Sequence, residues 1–109
     1  MKYFVIALSL FTLTLSAQNR SINFETGTWT EILAKAKKEN KLIMLDAYTT
    51  WCGPCKWMAK NVFTNDTVAD YYNANYVNAK IDMEKGEGID LAKQYSVQAY
   101  PTFLFIDGN

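Results

Sequence analysis

The hydrophobic positions of this chain fall into blocks whose period changes from one element to the next. An apolar stretch from Tyr3 to Leu15, broken only by Ser and Thr, gives way to a polar run over residues 18–27, where Ile22 to Phe24 predicts a loop or short edge strand. Thr28-Trp29-Thr30-Glu31 has the spacing in which a hydroxyl and a carboxylate cap each other's backbone amides, so a helix starts there. Trp29, Ile32, Leu33 and Ala36 then recur at i, i+3, i+4 and i+7, with Lys35, Lys37, Lys38 and Glu39 off that stripe. The period is lost over Lys41 to Tyr48, where Leu42-Ile43-Met44-Leu45 is continuously apolar, as in a central strand buried on both faces. A helix over 54–62 follows, with Pro54 in its first turn, where a missing N–H costs nothing. Asn65 or Asp66 caps a short helix over 68–72, and a strand over 76–82, a loop over 86–88 and a helix over 89–95 come next. Pro101 then leads into a strand over 102–106. Strands and helices alternate, which predicts the α/β class. Asp107-Gly108 directly after a strand is a hairpin signal, so a returning strand is expected and the sequence reads as a fragment lacking at least one strand.

Length and charge narrow the function. A chain of 109 residues, 50% hydrophobic, suffices for one domain with one core. Eleven basic and eleven acidic residues, without a block of either sign, lack the footprint of a nucleic-acid binder. The absence of histidine removes the usual general base and the commonest metal ligand. Lys2, the apolar run and the small residues Ser16-Ala17 predict a secretory signal peptide over 1–17, followed by one domain over 18–109. A membrane anchor is the alternative, but the run falls short of the roughly 20 residues that span a bilayer. The expected mature protein is therefore extracytoplasmic, secreted across the inner membrane and periplasmic in a Gram-negative source, and it is not an integral membrane protein.

The two cysteines carry the candidate chemistry. Cys52 and Cys55 stand two residues apart, where the central strand passes into the next helix. A zinc or iron–sulfur site needs about four Cys or His ligands, and this chain has two. A purely structural disulfide over so short a loop contributes only about 2 kcal/mol by loop entropy. A redox pair explains the placement better. At the first turn of a helix, Cys52 faces unpaired N–H groups and the positive end of the dipole, which favour a nucleophilic thiolate. Cys55, one turn on and expected to be less exposed, can attack a mixed disulfide and release the reduced substrate.

The run Trp51-Cys52-Gly53-Pro54-Cys55-Lys56 resembles the active-site motif of the thioredoxin family. Asp46 resembles the family's buried acid, Lys80 its lysine partner, and Tyr100-Pro101-Thr102 its cis-proline segment. Lys60, where thioredoxin proper carries a helix-kinking proline, together with the spacing of Trp29, Leu45-Asp46, Phe63 and Pro101-Thr102-Phe103, is closer to an exported branch. That branch is related to the C-terminal domain of the thiol:disulfide interchange protein DsbD. The resemblance spans residues 28–109.

It implies a thioredoxin-like fold, with a central mixed sheet flanked by helices and truncated here before the family's final strand and helix, and a protein-disulfide reductase that needs no cofactor beyond the redox-active Cys52–Cys55 disulfide. Asp46, desolvated in an apolar strand, would take the proton of Cys55, tuned by Lys80. The alternatives are an acid that ends its strand in water and a solvated surface lysine. Trp51, Gly53, Pro54, Tyr100 and Pro101 would bind protein or peptide disulfide substrates; for Trp51, core packing is the other reading. Gly53-Pro54 resembles the reducing members, so a membrane-bound thiol donor is expected to supply electrons. Three alternatives stay open: an oxidase or isomerase of secreted proteins, a copper-binding CxxC module with Met58 or Met83 as a third soft ligand, and a chaperone-like module.

Overall fold

The computed structural model describes residues 2–4, 9 and 20–109. Apart from residues 2–4 and 9, the signal peptide predicted over 1–17 lies outside the described residues. The elements are β1 (Phe24–Glu25), α1 (Trp29–Glu39), β2 (Leu42–Tyr48), α2 (Gly53–Asn61), α3 (Asp66–Asn75), β3 (Tyr76–Asp82), α4 (Glu87–Gln94) and β4 (Thr102–Ile106). They form a thioredoxin-like α/β fold around one mixed sheet of order β1-β3-β2-β4. β3 runs parallel to both β1 and β2, and β4 lies antiparallel to β2.

Local chemistry sets the element ends. Thr28 Oγ1 accepts the Glu31 N–H at 3.2 Å to open α1. Asn40, left-handed at φ 52°, closes it and donates its N–H to Ala36 and Lys37. On the predicted stripe Trp29, Ile32 and Ala36 are buried, while Leu33 is half-buried at its margin.

β2 lies between β3 and β4 with both faces covered, and Ile43 through Ala47 are all buried. Strand alternation divides these side chains between two cores. Ile43, Leu45 and Ala47 join Trp29, Ile32 and Leu91 beneath α1 and α4. Met44 joins Ile22, Phe63 and Ala69 on the other face, with Met58 of α2 packed against them. Each fully buried aliphatic side chain stabilises the fold by about 1.5–3 kcal/mol. The alternation also puts Asp46 on the Met44 face, the side that carries α2.

Two element boundaries differ from expectation. α4 begins at Glu87, because Gly86 at φ 52° caps it and Gly88 is helical, so the expected loop over 86–88 is the helix start. α3 extends from Asp66 to Asn75, with the Asn65 side chain accepting the Val68 N–H at 3.2 Å. In its later part Tyr72 and Asn73 are half-buried while Tyr71, Ala74 and Asn75 are exposed, a mixture of apolar and polar residues on both faces that obscures the helical period.

Candidate active site

β2 delivers the chain to the site, and a short turn hands it to α2. Cys52 is the N-cap of α2, in extended conformation, with Pro54 in the first turn. Cys52 Sγ accepts the N–H of Cys55 at 3.1 Å, so the sulfur occupies the position where a capping oxygen usually sits. Negative charge on this sulfur is favoured by the same N–H and by the aligned peptide dipoles. Cys52 and Cys55 form a disulfide, with Cα atoms 5.3 Å apart.

The expected difference in exposure between the two sulfurs is absent: Cys52 is 2% exposed and Cys55 4%. Both residues are covered in this disulfide-bonded state. Gly53, by contrast, faces open space, where an added Cβ would meet no heavy atom within 4 Å.

Asp46 is 1% exposed, which excludes a carboxylate ending its strand in water. Its Oδ1 has no hydrogen-bond partner. Burial pushes its pKa up from 3.8 to about 6, against the opposing pull of the Lys80 charge. Lys80 stands opposite Asp46 in the β2–β3 register. It is half-buried, not a freely solvated lysine, and its Nζ sits 4.9 Å from the centroid of the Tyr48 ring and 5.9 Å from that of Phe24. Among the described residues no ion pair joins Lys80 to Asp46. Lys80 acts on the acid through space, by charge.

Trp51 is 67% exposed, which excludes core packing. Its ring meets Tyr100 edge-on, with centroids 6.1 Å apart, and this contact brings the loop before β4 against the cysteine turn. The Tyr100–Pro101 bond in that loop is cis, as the resemblance implied. Thr102 Oγ1 donates to the Ala99 carbonyl at 2.6 Å and ties the loop together. Trp51, Cys52, Gly53, Pro54, Cys55, Tyr100 and Pro101 are thus one neighbourhood, with Asp46 and Lys80 on the strands beneath.

Sequence reading missed three participants. Glu84 takes the Trp51 indole N–H, at 2.6 Å to Oε1 and 3.3 Å to Oε2, and nothing in the sequence marks that pairing. Tyr48 carries the ring beside Lys80, and its position two residues beyond Asp46 on one strand face was a usable signal. Thr49 is buried next to the turn, and its Oγ1 has no partner. Met58 and Met83, the methionines considered for copper, pack in separate cores. Among the described residues no group of three or more His, Cys, Asp or Glu side chains is arranged to hold a metal ion.

Comparison with known proteins gives consistent neighbours. The family model described as Thioredox_DsbH, a protein of unknown function (DUF255), matches residues 12–102. Thioredoxin-1 of Drosophila melanogaster is 44% identical over 71 residues, which are 65% of this chain and 62% of that protein. The chain therefore spans less than two thirds of that thioredoxin's length. The solution structure of a candidate disulphide-isomerase from Bacteroides thetaiotaomicron is 52% identical with a TM-score of 0.75, over 84% of this chain and 76% of that one. A thioredoxin from Thermus thermophilus superposes with a TM-score of 0.69 at 28% identity, over 78% of this chain and 64% of that one.

Proposed function

This chain belongs to the thioredoxin-like family, and from that premise we propose that it is an exported thiol:disulfide oxidoreductase that reduces disulfides in proteins. The observation that carries the reading is the Cys52 sulfur at the N-cap of α2, accepting the Cys55 N–H within a Trp-Cys-Gly-Pro-Cys-Lys run. A sulfur held there is stabilised as thiolate once the disulfide is opened, and the thiolate is the attacking species.

The reaction runs in two exchanges. Cys52 thiolate attacks one sulfur of the substrate disulfide, forming a mixed disulfide and releasing the other substrate sulfur as a thiolate. Cys55 then gives its proton to Asp46 and attacks the Cys52 sulfur, which closes the Cys52–Cys55 bond and expels the second substrate thiolate. The protein dithiol is oxidised by two electrons and the substrate disulfide is reduced by two. Asp46, with a pKa of about 6, is ionised and ready to accept that proton near neutrality. Trp51, Tyr100 and Pro101 flank the cysteines as the surface on which the substrate chain lies.

Direction and compartment rest on the sequence. Gly53-Pro54 between the cysteines is the pair of the reducing members, and the apolar N-terminal run supports export. No dinucleotide-binding glycine pattern exists in the chain, so its electrons come from another dithiol, for which we propose a membrane-bound donor of the kind that serves DsbD-like exported domains.

The deciding experiment is the equilibrium potential of the Cys52–Cys55 pair against glutathione and dithiothreitol, read by alkylation and mass. A value near about −270 mV supports the reductase; one near about −120 mV makes the protein an oxidant and reverses the electron flow.

A further inference from the structure

The helix that presents the cysteines also presents an outer face that the exchange reaction leaves unused. Gly53, Lys56, Trp57 and Lys60 fall at i, i+3, i+4 and i+7 of α2, and all four are exposed. Positions so spaced are neighbours on one helix face, so these residues form a single stripe that starts beside the disulfide and runs along the helix. Trp57 is 60% exposed, and α2 buries its opposite side through Cys55. Trp57 stands one turn along the helix from Gly53 on this face, and Gly53 itself faces open space.

The charge on this face has one sign. Lys56 and Lys60 are i, i+4 neighbours, an arrangement that costs helix stability unless a carboxylate intervenes. Among the described residues neither lysine is in an ion pair, and no acidic residue occurs in α2. Trp51, the residue before Cys52, is held by the carboxylate of Glu84. The helix face therefore begins at the bare Gly53 beside the disulfide and continues as an aromatic ring between two lysines, while the residue before Cys52 is an exposed tryptophan with an acidic partner.

Building on the disulfide-exchange reading, we propose that the Gly53–Lys56–Trp57–Lys60 stripe is a substrate subsite. Its occupant is a segment of a disulfide-bonded polypeptide that carries an acidic and an apolar side chain on one flank of its cystine. The apolar side chain packs on Trp57, the acidic one lies against Lys56 and Lys60, and the open space at Gly53 admits the substrate backbone beside the disulfide. The stripe sets which disulfides are taken, while Cys52, Cys55 and Asp46 carry out the exchange.

The test uses the full chain in reduced form and three disulfides: hydroxyethyl disulfide, a cystine-bridged peptide flanked by Glu and Leu, and the same peptide with Lys in place of Glu. The unmodified protein should reduce the Glu peptide faster than the Lys peptide by about three- to tenfold at low salt, with the preference shrinking as salt screens it. Trp57→Ala should lower the ratio of peptide to hydroxyethyl disulfide rates several-fold, and Trp57→Phe should restore part of it. Lys60→Glu should remove or invert the preference between the two peptides. Equal rates on both peptides, with those ratios unmoved in every variant, overturn the subsite while leaving disulfide reduction intact. A protein inert toward all three disulfides overturns the exchange reading and the subsite together.

Discussion

Asp46 and Lys80 face each other across the β2–β3 ladder without forming an ion pair, and the acid is left fully buried with an unpartnered Oδ1. Desolvation therefore outweighs the attraction of the lysine, and the pKa rises from 3.8 to about 6. Such an acid costs the fold stability once it ionises. In the unfolded chain it loses its proton near the ordinary value, while the folded protein keeps the proton to about pH 6. The stability that protonated Asp46 allows is thus fully present below about pH 4 and is lost as pH rises through about 6, by about 3 kcal/mol at most. Asp46→Asn should make the oxidised protein more stable by about 1–3 kcal/mol at pH 7–8, with the gain vanishing below about pH 4. Urea unfolding of both proteins across that range checks it, and a constant difference at all pH values would show that Asp46 is not the titrating group.

The same substitution should harm the reaction that it spares the fold. With no acceptor for its proton, Cys55 attacks the mixed disulfide slowly, and the exchange rate of Asp46→Asn near neutrality should fall about a hundredfold. The unmodified protein should lose rate as pH drops through about 6, a step the variant lacks. Rapid acid quench and mass analysis separates the two exchanges: Asp46→Asn should accumulate the mixed disulfide on Cys52, and Cys55→Ser should trap it permanently. A variant that is slow in forming the mixed disulfide instead would place Asp46 in the first exchange.

Most of the architecture was legible in the sequence because its elements carry strong local signals. β2 announces itself as a continuous apolar run, α1 by its Thr28 cap and apolar stripe, and the site by two cysteines at a strand-to-helix junction. What escaped notice depends on contacts across the chain. Glu84 meets Trp51 over 33 positions, and Lys80 finds the rings of Tyr48 and Phe24 only because three strands lie side by side. The burial of Cys52 depends on what packs around the turn, which the spacing alone does not foretell. Gly86 and Gly88 were the misleading residues, since two glycines in three positions suggest a loop where the packing instead requires a helix start.

Gly88 is there for space. A Cβ at this position would overlap the Asp82 carbonyl oxygen and lie 2.9 Å from the Met83 Cα, and backbone atoms at the end of β3 cannot swing aside as a side chain would. The close approach seats α4 against the sheet, with Leu91 and Met83 in the same core. Gly88→Ala should destabilise the protein by about 3 kcal/mol, even though alanine is the better helix former. Gly53→Ala, with open space around its Cβ, should change stability far less. Thermal unfolding of the two variants side by side gives the comparison, and a stable Gly88→Ala protein would mean that α4 can shift outward freely.

The hydrogen bond from Trp51 to Glu84 anchors the ring of the residue that precedes Cys52. The donor is the indole N–H, the acceptor is a carboxylate, and the ring also rests edge-on against Tyr100. Because both side chains are exposed, the bond contributes little to folding, and Glu84→Ala should cost less than about 1 kcal/mol. Its effect belongs to substrate placement: without Glu84 the indole retains only the Tyr100 contact and samples other rotamers over the open Gly53. Glu84→Ala should therefore raise KM for protein disulfides several-fold with kcat nearly unchanged, and Glu84→Gln, which retains an acceptor, should fall between. The Trp51 indole N–H resonance reports the bond directly, and in Glu84→Ala it should shift and exchange faster with water. An indole signal that stays put in that variant would show that Tyr100 alone holds the ring, and the KM effect should then be absent as well.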